Sequence, residues 1–239
     1  MFDWFALTTT ESQALQLSLS VALRSVLFNL LPAIILAWLL TRRRFPGRFL
    51  LDAMVHLPLV LPPVVIGYLL LLLFGIRGPI GAWLYTTFDI RLVFTSTGAA
   101  LATAVMSLPL MVRSMRIALE GVDRGLEEAA RTLGAGALDR FFTITLPLMA
   151  PGVLAGVVTA FAAGLGEFGA VITFVGNVPG ETQTLPLALY AALQSPDGDA
   201  LAARLASMSI VLGISGLLLA EWLAHTLRNH LGRSHLGPA

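Results

Sequence analysis

Cysteine and lysine are both missing from this chain of 239 residues, whose 15 basic side chains are all arginine. Without cysteine there is no disulfide framework, no thiolate metal site and no thiol nucleophile. Without lysine there is no Walker A phosphate loop, which needs an ammonium on the nucleotide phosphates. Charge is scarce too: 12% of residues are charged, against about 25% in a soluble domain. A net charge of +1 excludes the dense basic face that a nucleic-acid binder needs. What abounds is apolar surface. Hydrophobic residues make up 56% of the chain and mean hydropathy is +0.83, an excess that has to face lipid rather than water.

A hydrocarbon core of about 30 Å takes roughly 20 apolar residues of helix. Five stretches qualify, so the pattern predicts an all-α membrane protein. It has five transmembrane helices, at about 14–40, 50–74, 92–115, 149–166 and 205–226, in a single domain over residues 1–239. Thr10 and Gln13 read as a capping box at the start of the first. Thr184 to Leu193 is too short to cross and reads as a surface or re-entrant helix. The opening MFDWFALTTTES has neither a basic leader nor a small-residue cleavage site, so no removable signal peptide is expected. No internal repeat or pair of inverted halves is visible, which counts against a secondary transporter. An intramembrane enzyme would need a serine with histidine, or paired aspartates, inside the spans, and neither is present.

Arginine placement predicts sidedness, because short cytoplasmic loops keep positive charge during insertion. Loop 41–48 holds four Arg, segment 113–140 holds five and the tail adds Arg228 and Arg233. The opposite side holds Arg77, Arg91 and Arg204. The expected arrangement is an N-terminus outside and a C-terminus in the cytoplasm.

On that arrangement residues 120–147 form a cytoplasmic loop, EGVDRGLEEAARTLGAGALDRFFTITLP. Leu126, Ala129, Ala130 and Leu133 fall on one helical stripe, and Gly134 and Gly136 supply a stop. A second short helix around Leu138 to Thr143 leads to Pro147. The residues leave two readings open. A small-faced helix can enter a groove on another protein, or an amphipathic connector can lie on headgroups, although the adjacent carboxylates of Glu127 and Glu128 oppose anionic lipid.

Glu128, Ala129, Ala130, Gly134, Ile144, Leu146 and Pro147 fill every fixed position of EAA-x3-G-x9-I-x-LP. That segment resembles the EAA loop of binding-protein-dependent ABC importer permeases. Longer blocks, FPGRFLLDAMVHLPLVLPPVVIGYLLL, FFTITLPL and GLGEFGAVITFVGNVPGET, are similar to the molybdate importer permeases of the MetI-like superfamily. The likeness runs from about residue 14 to 228. Sulfate and thiosulfate permeases carry a related GEFGAV segment, and HLPLVLPPVVIGY with the PGET turn favours molybdate.

The resemblance implies a MetI-like permease fold spanning the bacterial inner (plasma) membrane and passing a tetrahedral oxyanion. Molybdate comes first, with tungstate, sulfate and thiosulfate as alternatives, and a non-transport membrane scaffold lies outside the class. It implies a second permease subunit, simplest as a homodimer, a cytoplasmic ABC ATPase dimer and a periplasmic molybdate-binding protein, with no nucleic acid. This chain would be non-catalytic and bind no cofactor, ATP and Mg residing on the ATPase. The EAA residues would couple hydrolysis to transport.

Broken helix regularity marks the expected pathway. Pro62, Pro63 and Pro109 each remove a backbone donor and kink a helix. Thr103 and Ser107, near the freed carbonyls, would line a wet path unless a neighbouring helix satisfies the kinks. Gly166, Glu167, Phe168 and Gly169 would form a gate, with Glu167 accepting backbone N–H or Arg bonds rather than touching an anion, unless it is an exposed interfacial carboxylate. Arg24, inside a span, is expected to snorkel or to pair with a neighbouring helix, which leaves oxyanion selection to the external binding protein. His56, His225, His230 and His235 share no face at metal-ligand spacing. Trp4, Trp38, Trp83, Tyr85 and Trp222 read as an interfacial aromatic belt.

Overall fold

The computed structural model describes residues 7–233, with side chains of the last helix described as far as Leu219 and again at Trp222. Trp4, Arg228 and the three tail histidines therefore lie outside the described side chains. The described chain is helical throughout, without a strand. In order it runs α1 (Thr9–Arg42), α2 (Arg48–Val60), α3 (Pro63–Phe74), α4 (Pro79–Phe88), α5 (Ser96–Glu120), α6 (Arg124–Thr132), α7 (Ala137–Arg140), a π turn (Phe141–Thr145), α8 (Leu146–Leu165), α9 (Gly169–Val175), α10 (Leu185–Leu193) and α11 (Asp199–Arg233).

The bundle centre is built from α1, α5 and α8, and the sequence explains why. In α1 the buried stripe is small or polar, with Ser18, Ala22, Ser25, Asn29, Ala33 and Ala37 facing inward. Leu19, Leu23, Leu27, Leu31 and Ile35 point out. This reverses a soluble amphipathic helix, because lipid solvates leucine as well as a protein core does and association relies on close packing. Small residues recur every fourth position along α8, at Gly152, Gly156, Ala160 and Gly164. That ridge brings backbones together: a Cβ on Gly156 would lie 3.3 Å from the Met111 Cα of α5. Asn29 adds a polar link, donating from Nδ2 to the Ala104 carbonyl at 2.7 Å and to Ser107 Oγ at 3.1 Å.

The ends of α1 are tied down by charge. Thr8 Oγ1 accepts the Glu11 N–H at 3.3 Å, and the Glu11 carboxylate accepts the Thr8 N–H at 2.8 Å. The capping box thus sits two residues before the expected Thr10 and Gln13, where an ionised Glu serves twice. Glu11, fully buried, also takes a two-pronged contact from Arg204 of α11, at 2.8 and 2.9 Å.

Four helical runs are long and apolar enough to cross a membrane: α1, α5, Ala137–Leu165 and Asp199–Leu219. A fifth exists only if α2 and α3 count as one span, and they are bent by 118° to each other. The expected continuous helix at 50–74 is therefore corrected to a broken one. Leu61 and Pro62 adopt extended ψ angles of 145° and 136°, as residues preceding proline prefer, so the chain turns sharply where a kinked helix was anticipated. Other limits shift less. The third span begins at Ser96 rather than 92, because the Thr95 hydroxyl caps it by accepting the Gly98 N–H at 3.1 Å, and it runs on to Glu120. The fourth covers Leu146–Leu165, and the last starts at Asp199. Pro109 is buried inside an unbroken α5. The short helix expected near 184–193 is α10, and its buried Leu185 and Ala188 pack with Ala14 and Leu205. The short helices α4 and α9 were not anticipated.

Candidate functional site

The first cluster is the 120–147 segment. The Asp123 side chain starts α6 by accepting the Gly125 N–H at 2.8 Å. At the other end the Ala135 N–H returns to the Ala130 carbonyl at 3.0 Å and the Gly134 N–H to the Arg131 carbonyl at 3.1 Å, the paired bonds of a Schellman stop. That stop needs a left-handed residue, and Gly134 sits at φ +91° with open space around its missing Cβ. Gly134 therefore acts through backbone geometry rather than through a steric fit.

One carboxylate fastens this segment to the bundle. Glu127 Oε1 accepts from Arg42 Nη2 at 3.1 Å and from Thr145 Oγ1 at 2.9 Å. Arg42, whose side chain is 9% exposed, also donates to the Val122 carbonyl at 3.2 Å. The end of α1, the start of the loop and the entry to α8 thereby meet at one acid. The π turn contributes by carrying Thr145 inward, where it is buried. Leu146 packs against the core behind it.

Among the described residues the opposite side of the segment is left uncovered. No residue of α6 or α7 is buried. Leu126, Leu133, Leu138 and Phe142 are 48, 88, 75 and 60% exposed. Glu128 and Ala129 are exposed, Ala130 and Ile144 half-buried, and Pro147 is exposed in the first turn of α8. The segment is thus anchored to the bundle on one side, with an amphipathic face that no described residue covers.

The second cluster joins the two broken helices. After Leu165 the chain leaves α8 through Gly166, Glu167 and Phe168 before α9 begins. Glu167 Oε1 accepts the Ala170 N–H at 2.9 Å and so caps α9. A Cβ on Gly169 would lie 2.8 Å from Pro63 Cβ, and one on Gly67 would lie 2.6 Å from the Ala170 carbonyl oxygen. Helices α3 and α9 therefore meet almost backbone to backbone, and the structure brings Pro63 and the 166–169 turn together. It does not bring Thr103, Ser107 and Pro109 to that place. All three are buried in α5, with Ser107 bonded to Asn29 and the Thr103 methyl packed toward Gly164. In this conformation Thr103 and Ser107 are inside the bundle rather than on a wet wall, because the small-residue faces of α1 and α8 close over them. Arg24 reaches a neighbouring helix, donating to Ser96 Oγ at 3.1 Å.

Sequence reasoning passed over Arg42, Thr145 and the anchoring role of Glu127, which are far apart in the chain and carry no spacing signal. The period-four small residues of α8 were visible in the sequence and mark its buried ridge.

The sequence pattern of the family described as "Binding-protein-dependent transport system inner membrane component" matches residues 18–229. The chain belongs to this family. Among the family's curated members, the molybdenum transport system permease protein ModB of Escherichia coli K12 is 59% identical over 95% of this chain and 99% of that protein. ModB of Haemophilus influenzae is 53% identical over 95% and 99%. The sulfate transport system permease protein CysT of Escherichia coli K12 is 39% identical over 98% of this chain and 83% of its own length. Solved ABC importers share the permease fold. A bacterial alginate importer superimposes with a TM-score of 0.73 at 19% identity, covering 95% of this chain and 83% of that one. The methionine importer MetNI gives 0.70 at 13%, covering 90% and 95%.

Proposed function

We propose that this chain is the membrane subunit of an ATP-driven importer that passes molybdate from an external binding protein into the bacterial cytoplasm. The observation that carries the substrate is the 59% identity to ModB across nearly both full lengths, against 39% to the sulfate permease. Sulfate, thiosulfate and tungstate are the alternatives within the same architecture.

The arginine bias supports an outward N-terminus, a cytoplasmic C-terminus and a lever on the cytoplasmic side. The chain is non-catalytic in this reading. Two copies of it form the bundle pair, a separate ATPase dimer binds ATP and Mg beneath, and the oxyanion is delivered from above. Nucleotide-driven closure of the ATPases brings the two levers together, and their anchor through Glu127 to α1 and α8 passes that displacement into the spans. Alternating access follows, with Pro62, Pro63, Gly166, Glu167, Phe168 and Gly169 at the gate where α3 meets α9. Thr103, Ser107 and Pro109 reach the path only if the bundle opens between α1, α5 and α8. Among the described residues no arginine cluster is buried in the spans, which suits a route that has to release its anion.

The test is reconstitution of the chain with its ATPase and binding protein in proteoliposomes, followed by competition among molybdate, tungstate and sulfate. Uptake of molybdate that needs ATP and the binding protein, and that sulfate does not compete away, is expected. Sulfate uptake of equal efficiency would reassign the cargo, and absence of any uptake by an assembled complex would favour a scaffold.

A further inference from the structure

We propose that an arginine-lined cavity at the foot of α1 and α2 holds the phosphate headgroup of an anionic phospholipid. The cavity measures about 880 Å³ and is faced by Arg42, Arg43, Arg44, Arg48 and Arg124, with Glu120 and Asp123 as its only carboxylates. Two of the five cations are already engaged. Arg42 holds Glu127, and Arg43 lies over the Trp38 ring at 5.0 Å. One carboxylate is spoken for as well, since Asp123 caps α6. Among the described residues Arg44, Arg48 and Arg124 have no ion pair or hydrogen bond from their guanidinium groups. Three unpaired cations facing one cavity outnumber its one unengaged carboxylate, Glu120, and the excess positive charge calls for an anion.

The surroundings favour a lipid as its source. Arg48 opens α2, and the next two residues, Phe49 and Leu50, are 88 and 64% exposed. An apolar pair beside a basic pocket, with Trp38 beneath Arg43, matches the acyl boundary and headgroup layer of a bilayer. A free tetrahedral oxyanion would fill a small part of this cavity and leave Phe49 and Leu50 in water. Planar guanidinium groups suit a phosphodiester, which they bind in a two-pronged fashion. Gly47, at φ +87°, turns the chain so that α2 starts with no side-chain cap, and its first amides add partial positive charge beside Arg48. The inference rests on the membrane placement proposed above, which sets loop 41–48 at the cytoplasmic face.

The test is native mass spectrometry of the full chain, purified alone and with its ATPase in neutral detergent. It is titrated with phosphatidylglycerol, with phosphatidylcholine, and separately with inorganic phosphate and molybdate. Preferential retention of phosphatidylglycerol is expected, and Arg44→Gln with Arg48→Gln should weaken it about thirtyfold, the effect of removing two surface cations from an anionic headgroup. Phosphatidylcholine binding should be unchanged by the pair. Equal retention of the two lipids by the unaltered chain, a measurement independent of any variant, overturns the proposal. So does displacement of phosphatidylglycerol by phosphate or molybdate at matching concentration, which would make this a free-oxyanion site. Loss of the ATPase from the double variant with lipid retention intact would assign the cavity to the ATPase instead. Failure of the unaltered chain to hold an ATPase is read separately in the same spectra and bears on the importer reading alone.

Discussion

At the scale of single residues, Gly134 and Glu127 perform different tasks that one assay can separate. The space around the Gly134 Cβ position is open, so Gly134→Ala and Gly134→Leu should both fold, each losing about 1–2 kcal/mol to left-handed backbone strain. The strain falls on the helix stop that aims α7. We expect Gly134→Leu to hydrolyse ATP with little molybdate uptake, and normal uptake by a well-expressed variant would refute the role. Glu127→Gln should cost about 1–2 kcal/mol, the range for a charge-assisted hydrogen bond discounted for its partial exposure. The Arg42→Gln/Glu127→Gln double variant should cost less than the sum of the two singles in a thermal-unfolding cycle. Additive costs would mean that the pair does not couple. Glu167 offers a control on charge. Its observed bond is to a backbone N–H, which an amide oxygen also accepts. Glu167→Gln should therefore transport nearly as well as the unaltered chain, whereas Glu167→Ala loses a cap worth about 1 kcal/mol. A Gln variant as impaired as the Ala variant would show that the charge itself matters.

Helices follow hydropathy closely where they are straight. The positions of α1, α5, α8 and α11 were legible because each carries an apolar run, though their ends were not, and α6 was legible because it has strong helix formers between Asp123 and Gly134. The 118° break between α2 and α3 was half legible: the proline pair announces lost donors, but how far the chain turns depends on where α3 finds a partner. That partner, α9, is seven residues long and too short to register as a span. The Arg42, Glu127 and Thr145 junction left no trace in the sequence, since its members come from three elements and only folding sets them together. The α3–α9 contact carries its own prediction. Gly67→Ala places a methyl 2.6 Å from the Ala170 carbonyl oxygen, so the helices have to separate, at about 1–3 kcal/mol. Thermal unfolding in detergent should show that loss, and an unchanged midpoint would mean that the helices are not held at this distance.

Viewed as a whole, the molecule is a bundle of apolar helices that leaves the amphipathic face of α6 and α7 exposed. Its small-residue core packs α1, α5 and α8 closely against one another, and Arg42 and Glu127 link that trio to α6. An input at α6 therefore has a short route to the spans, and the α3–α9 junction is joined to them by a shared core in which Ile66 and Phe174 pack with Ala99 of α5 and Val21 of α1. The central claim is that the lever is cytoplasmic and engaged by a nucleotide-driven partner. The natural absence of cysteine makes Ala129→Cys a clean reporter, and the residue is exposed. The most direct measurement is labelling of this variant by a membrane-impermeant maleimide in inside-out and right-side-out vesicles, with the ATPase bound and after it is stripped. Labelling confined to inside-out vesicles and blocked by the bound ATPase is the predicted result. Labelling from the outer face, or labelling that the ATPase does not alter, would contradict the account.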